Sequence, residues 1–406
     1  MTTKLNSDSF CILPWVHIHT NPTGVAAPCC ISESNSTSEG VGNAKTQSLM
    51  EIINSDKMKQ LRVDMLNGTK NSECIKCYEQ DALGMRSSRQ DNNSRFSKEY
   101  ETVINSTKPD GYLNDFKMKY FDIRFNNICN FKCRTCGSAF STQWEQEDLK
   151  SKVSHARIIP KNDNPKFLQE VIDQIDNIEL AYFAGGEPLI TEEHYILLEE
   201  MIKQNRTDIT LRYNTNLSNL KFKDKDLHGL WKHFSKKIQV YASIDHFGER
   251  AEYIRNGTDW ATVEENFIKI RASRNIQLQM NTVLSVFNVL TISDFYQYLI
   301  DKQLYSPTDF TYSLYSMTDP KFLSANILPA EYKTLAKQSV QKSVDILVNN
   351  RFSHDHINQL NQAGDFLSSL TTWEENKEEF RNETRRLDAI RGEDFTQTFP
   401  ELAGLL

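Results

Sequence analysis

From residue 117 onward the chain alternates short apolar runs with longer stretches in which apolar side chains recur every three or four positions. The short runs at 119–125, 178–183, 209–214, 238–244, 276–284 and 310–315 are rich in β-branched and aromatic residues, the composition of buried strands. The longer stretches, such as 192–204 and 263–274, carry the period of an amphipathic helix. Alternation of strand and helix predicts a parallel sheet with right-handed crossovers, hence an α/β fold. Upstream, 48–66 shows helical spacing in Leu49, Ile52, Ile53, Leu61 and Leu66, and 15–19 alternates like a strand, with His17 and His19 on one side. Residues 83–116 are rich in Ser, Asn and charge, including Arg86, Arg89 and Arg95, and read as a crossover linker. From 329 the pattern is helical, ending in a charged run at 373–391 that reads as a solvated face. The expected organisation is therefore a small module at 1–82, a linker at 83–116, an α/β domain at 117–328 and a helical extension at 329–406.

Candidate chemistry enters with the cysteines. Cys129, Cys133 and Cys136 are spaced three and two residues apart and follow the first predicted strand. Three thiolates can close onto three corners of an iron–sulfur cluster, and a full set is four, so one iron would stay open to a ligand. A zinc knuckle completed by a distant ligand is the competing reading. Downstream, Tyr182-Phe183-Ala184-Gly185-Gly186-Glu187-Pro188 reads as a strand running into a glycine turn that ends on a carboxylate. Glycines there let the backbone approach a ligand and leave NH groups free to line a pocket.

With both motifs present, the chain resembles the radical SAM superfamily. One departure is Thr135, which stands where that superfamily usually has an aromatic residue near the adenine. The resemblance implies an open (β/α)6 partial barrel, TIM-like but not closed. It implies that Cys129, Cys133 and Cys136 hold a [4Fe–4S] cluster whose open iron chelates S-adenosylmethionine (SAM). Reduction would then cleave SAM to methionine and a 5′-deoxyadenosyl radical, which abstracts hydrogen from a substrate. By the same resemblance, Gly185, Gly186 and Glu187 meet the SAM amino group, while Ser243, Asp245, Arg255 and Asn281 serve the ribose or the carboxylate. Asn214, ending the third strand, joins this cofactor-binding set. An arginine suits a carboxylate because its planar fork donates two parallel hydrogen bonds. Capping and turn roles compete at each of these positions.

Four of the remaining cysteines form a second pattern. Twelve residues separate Cys11 from Gly24, four more separate Gly24 from Cys29, and Cys74-Ile75-Lys76-Cys77 follows. This looks like a SPASM or twitch auxiliary-cluster module, in which Cys11, Cys29, Cys74 and Cys77 would bind a second iron–sulfur cluster. A four-cysteine zinc site competes. In the families it resembles the module usually follows the barrel, whereas here it precedes it. Cys30 is left without a role, and for His17 and His19 a hydrogen-bonded structural pair is the expected state.

Composition bounds the rest. A chain of 406 residues with net charge −7 and 39% apolar residues is that of an ordinary globular protein, not a general nucleic-acid or anionic-membrane binder. No apolar run reaches the roughly 18 residues of a spanning helix, and no secretory signal precedes the cysteines, so the expected location is cytoplasmic. The expected activity is oxidation or cross-linking of a peptide or amino-acid-derived substrate, fed electrons by a donor such as flavodoxin or ferredoxin. Oxidation or epimerisation of a sugar or aminocyclitol is the alternative within the same chemistry. A non-catalytic zinc-binding interaction protein is the alternative outside it. The catalytic residue acting on the substrate is not readable from the sequence.

Overall fold

The computed structural model describes residues 8–153, 164–309 and 312–406, so positions 310–311 of the last predicted strand lie outside the described residues. The chain divides into two compact units. The first comprises residues up to Cys129, then 138–213 and 221–238; the second comprises 130–137, 214–220 and 239–406.

In the first unit the strands run side by side in the order Thr210–Thr215, Leu180–Phe183, Tyr120–Ile123, His17–Thr20, Val25–Ala27, Gly42–Asn43. The first four are mutually parallel, with His19 opposite Asp122, Phe121 opposite Ala181 and Tyr182 opposite Arg212. A strand from the Cys-rich module is thus built into the same sheet as the α/β domain. Asn21-Pro22-Thr23-Gly24 turns it into the antiparallel Val25–Ala27, and Gly24 takes a left-handed φ of +89° there. The module's strand begins at His17, two residues later than the alternation predicts, because Leu13–Val16 forms one helical turn with Pro14 in its first turn. The predicted helix at 48–66 is two helices, Leu49–Ile53 and Asp56–Leu66. Ser48 and Glu51 close a capping box on the first, and Ser55 caps the second. Residues 83–116 contain the helices Ser88–Arg95 and Tyr100–Ser106. They are tied down by Arg62, fully buried in the second module helix, which donates to the carbonyls of Gly111, Pro14 and Ile53. Three backbone acceptors compensate the desolvation of that guanidinium.

Helix Glu192–Lys203 shows how this sheet is covered. Tyr195, Leu198 and Met201 recur at helical spacing and are buried, while Glu192 and Glu193 lie in the first turn, where the helix dipole favours negative charge. The sheet face under the helices is apolar: Ile18, Phe121, Ala181 and Leu211 expose no surface. The opposite face carries His19, Asp122, Tyr182 and Arg212 in adjacent positions of four strands.

The second unit contains the strands Ile238–Ser243, Ile276–Leu284 and Ser313–Ser316, the last two parallel with Asn281 opposite Ser313. Its C-terminal part is helical: Ala330–Asn349, His354–Phe366 and Trp373–Arg391. The charged run at 373–391 is more than a solvated face, since Trp373, Phe380 and Leu387 are buried along one side. Phe287, Phe380, Phe395 and Phe399 pack there with ring centroids 5.5–6.4 Å apart, close enough for favourable aromatic contact. Along the chain, six strands from Tyr120 to Ser316 alternate with helices in the order of a (β/α)6 fold, with the Cys-rich module before them and the helical extension after. Among the described residues no helix is long and apolar enough to cross a membrane.

Candidate functional site

The glycine turn is locked by close backbone contact. Glu187 N–H donates to the Ile128 carbonyl at 2.7 Å, and a Cβ on Gly186 would stand 2.2 Å from that oxygen. Only glycine fits, because no atom there can move without breaking the bond. Gly185 adopts φ +130°, a region that strongly favours glycine. Glu187 is buried, and its Oε1 accepts the Leu189 N–H at 3.0 Å, so the carboxylate caps its own turn. The turn therefore grips the chain one residue before Cys129. Cys129 itself is anchored by its N–H, which donates to the Thr142 hydroxyl at 3.4 Å.

Cys133 lies on a short antiparallel ribbon, Lys132–Cys133 against Arg255–Asn256, with Arg255 directly opposite Cys133. Arg255 Nη1 is 3.8 Å from Cys133 Sγ, and its Nε is 2.8 Å from Asp245 Oδ2. The two side chains form a buried ion pair, although neither of these atoms has a well-aligned hydrogen bond. Asn281 Oδ1 is a third such atom. Asp245 and Arg255 thus meet each other by charge, and Asn281 Oδ1 is the buried atom that a bound polar ligand would satisfy. Ser243, the last residue of its strand, shares with Asp245, Arg255, Asn216, Phe131 and Trp260 a cleft of the second unit. Asn214 lies at the penultimate position of its strand, half-buried. Burial pushes the Cys133 thiol up to about 12, and the adjacent Arg255 cation works against that rise.

Between these cysteines sits Arg134, which the sequence does not single out. Its guanidinium is 1% exposed, lies 2.5 Å from both Asp388 and Glu393, and stacks on Tyr253 at 3.7 Å. Asn256 donates to the second oxygen of Glu393. The helical extension thus holds the 130–137 loop through a buried charge network.

In the Cys-rich module, Cys11, Cys29, Cys74 and Cys77 are electrostatic neighbours. Burial raises each thiol; Cys74 and Cys77 raise Cys11 further, and Cys30, Cys11 and Cys74 raise Cys29. Among the described residues no three or more His, Cys, Asp or Glu side chains converge as tightly as a single metal ion would require. A purely sulfur donor set is the kind an iron–sulfur group takes. Arg89, beside them, is bound to Asp81 at 2.6 and 2.9 Å and to the Phe10 carbonyl. Cys30 is exposed, and its surroundings differ: after burial, the charges of Asp122 and Arg124 act on it, and the thiol sits at about 11.

His17 and His19 are both buried and hydrogen-bonded, His17 Nδ1 to the Tyr120 carbonyl and His19 Nδ1 to Asp122 Oδ2 at 2.8 Å. Burial alone would raise the Asp122 carboxyl, but the charges of His19 and Arg124 outweigh it and hold the group below the ordinary carboxylate range. His19 Nε2 has no partner. The clue in the sequence is Asp122 itself, a charge inside the apolar run Tyr120-Phe121-Asp122-Ile123.

Two family models match this chain: the radical SAM superfamily over residues 123–299 and the SPASM iron–sulfur cluster-binding domain over 11–78. The chain therefore carries a radical SAM domain, with a SPASM domain ahead of it in the sequence. The two domains imply a [4Fe–4S] cluster with SAM, and an auxiliary iron–sulfur cluster. Similar solved structures include "Native anSMEcpe with bound AdoMet and Cp18Cys peptide", with 17% identity and TM-score 0.38, covering 58% of this chain and 62% of that one. Streptococcus suis SuiB has 13% identity and TM-score 0.38, over 74% and 64%. TYW1 with a lysine-pyruvate adduct bound has 12% identity and TM-score 0.32, over 57% and 71%. The chain thus spans less than two thirds of the length of the first of these. No curated protein matches it.

Proposed function

We propose that this protein oxidises or cross-links a peptide or amino-acid-derived substrate by abstracting hydrogen from one C–H bond. Cys129, Cys133 and Cys136 would hold the SAM-binding cluster, and Cys11, Cys29, Cys74 and Cys77 the auxiliary one. When bound, the first group supplies the electron that cleaves SAM to methionine and a 5′-deoxyadenosyl radical. The protein's own part is to position and to exclude. In this reading Gly185 and Gly186 would line the ligand with backbone, Gly186 holding the turn against Ile128, and Asn281 would offer it a buried polar atom. Gly185, Gly186, Glu187, Asn214, Ser243, Asp245, Arg255 and Asn281 form the cofactor-binding set of this reading.

The observation that carries net oxidation is the disposition of the thiols. Seven of the eight cysteines are assigned to the two ligand sets in this reading, and the eighth, Cys30, stands next to one of them. An epimerisation would need Cys30 itself to return the hydrogen atom, as the one thiol outside both sets. The row His19, Asp122, Tyr182 and Arg212 offers acceptors and donors on one sheet face, which suits amide-bearing substrates. Flavodoxin or ferredoxin is the expected class of electron donor.

The test is anaerobic incubation of reconstituted protein with dithionite, SAM and a defined peptide library, set beside a panel of sugars and aminocyclitols. Release of 5′-deoxyadenosine should rise with peptides, and one peptide should lose the mass of two hydrogens. Stimulation by the sugars alone would overturn the peptide reading. A product of unchanged mass and inverted configuration would overturn oxidation.

A further inference from the structure

Arg255 is assigned above to a cofactor contact, yet its nearest sulfur is a proposed ligand. The ribbon register sets Arg255 across from Cys133, and Arg134 N–H donates to the Ile254 carbonyl at 2.8 Å, fixing the crossing. Gly257 continues the turn at φ +106°, where a Cβ would stand 2.9 Å from the Asn130 carbonyl and 3.0 Å from the Phe131 ring. Asp245 holds the guanidinium from the other side. Its side chain is fully buried, Oδ1 accepts the Val283 N–H at 2.8 Å, and its carbonyl accepts the Asn288 amide at 3.0 Å. A cation is thus fixed 3.8 Å from one thiol, with a counter-charge fixed behind it.

We propose that Arg255 is a positioning and tuning residue that sets the reduction potential of the cluster through the Cys133 thiolate, with Asp245 as its counterweight. This rests on the reading that Cys133 is a cluster ligand. Reduction adds negative charge to a cluster, so a fixed donor cation at a ligand sulfur favours the reduced form. The low dielectric of a buried site strengthens that effect. Asp245 draws the guanidinium back and cancels part of its field. The two residues therefore act with opposite sign.

The experiment is a redox titration of the SAM-binding cluster, followed by its electron paramagnetic resonance signal, in protein reconstituted without SAM. Arg255→Gln should lower the reduced-to-oxidised ratio at fixed potential about tenfold, a shift of about 59 mV for one electron. Arg255→Lys should recover part of it, and Asp245→Asn should shift the potential the opposite way. Equal potentials in all four proteins, with weakened SAM binding in Arg255→Gln, would show a carboxylate clamp instead and sink the proposal. If Arg255→Gln does not retain iron, the Arg255→Lys and Asp245→Asn pair decides it by sign. Cys133→Ala serves as the separate control: a signal that survives it means the ligand reading is wrong, not the tuning.

Discussion

The two cysteine sets stand in contrasting electrostatic surroundings. In the SPASM module Cys74 and Cys77 raise the Cys11 thiol, and the nearby cation Arg89 is engaged by Asp81. In the barrel loop Cys133 faces Arg255 directly, and the loop is clamped by Arg134 to Asp388 and Glu393. In the proposed reading the first set supplies four sulfur ligands. In that reading the second supplies only three, and its Cys133 lies beside a buried cation. A closed set suits passing an electron, and an open one suits holding a reactant.

The sharpest way to break this contrast is Cys133→Ala. It should abolish release of 5′-deoxyadenosine and methionine from reduced protein and lower iron from about eight to about four per chain. Iron that stays at eight, or SAM cleavage that persists, would remove the distinction between the sets. Cys74→Ala should give the converse: SAM cleavage continues, the second cluster's signal disappears and substrate turnover stalls. Cys30→Ala should match the wild type in both readouts. Loss of the second cluster in Cys30→Ala but not in Cys29→Ala would mean that the Gly24-based register is off by one.

Gly186→Ala tests whether the turn beside the open set is as tight as the geometry states. Its Cβ must displace the Ile128 carbonyl, costing about 1–3 kcal/mol as an overpacked site. SAM cleavage should fall about 100-fold from misplacement of the ligand, while the auxiliary signal stays. An unchanged rate would contradict the contact.

The smallest effect is on acid stability. Burial lowers His194 to about 3 and His17 and His246 to about 4, from 6.5. The native protein keeps them neutral while the unfolded chain binds protons below 6.5. Their contribution is therefore complete above that pH and is lost as pH falls towards 4. The denaturation midpoint of cluster-free protein should drop between pH 7 and pH 5, and His194→Gln should narrow the drop. An equal drop in that variant would point to other groups.

Much of this architecture was legible because local chemistry and packing agree. The fifth barrel strand, Ile276–Leu284, lies where its apolar run predicts, and helix Glu192–Lys203 ends within a residue of its expected bound. The glycine turn was legible because a backbone contact of 2.2 Å to a missing Cβ demands glycine. The helices in 83–116 were hidden by polarity: Ser88–Arg95 buries only Arg89, and Ser87 caps it. The Arg255–Cys133 and Arg134–Asp388 contacts join residues 122 and 254 positions apart, which no local spacing encodes. For Asp245 and Arg255 the sequence led to the right strand ends, while their mutual pairing emerges only from the register of the ribbon.

The strand His17–Thr20 has a consequence for how this protein can be divided. It is hydrogen-bonded along its length to Tyr120–Ile123, and it supplies the imidazole that accompanies Asp122. Cutting the module away would unzip a wall: the row of NH and carbonyl groups on 120–123 would lie bare, with a stranded carboxylate in its middle. Such an edge recruits other chains. The module and the sheet of the first unit therefore belong to one piece, and any shortened chain should start upstream of His17.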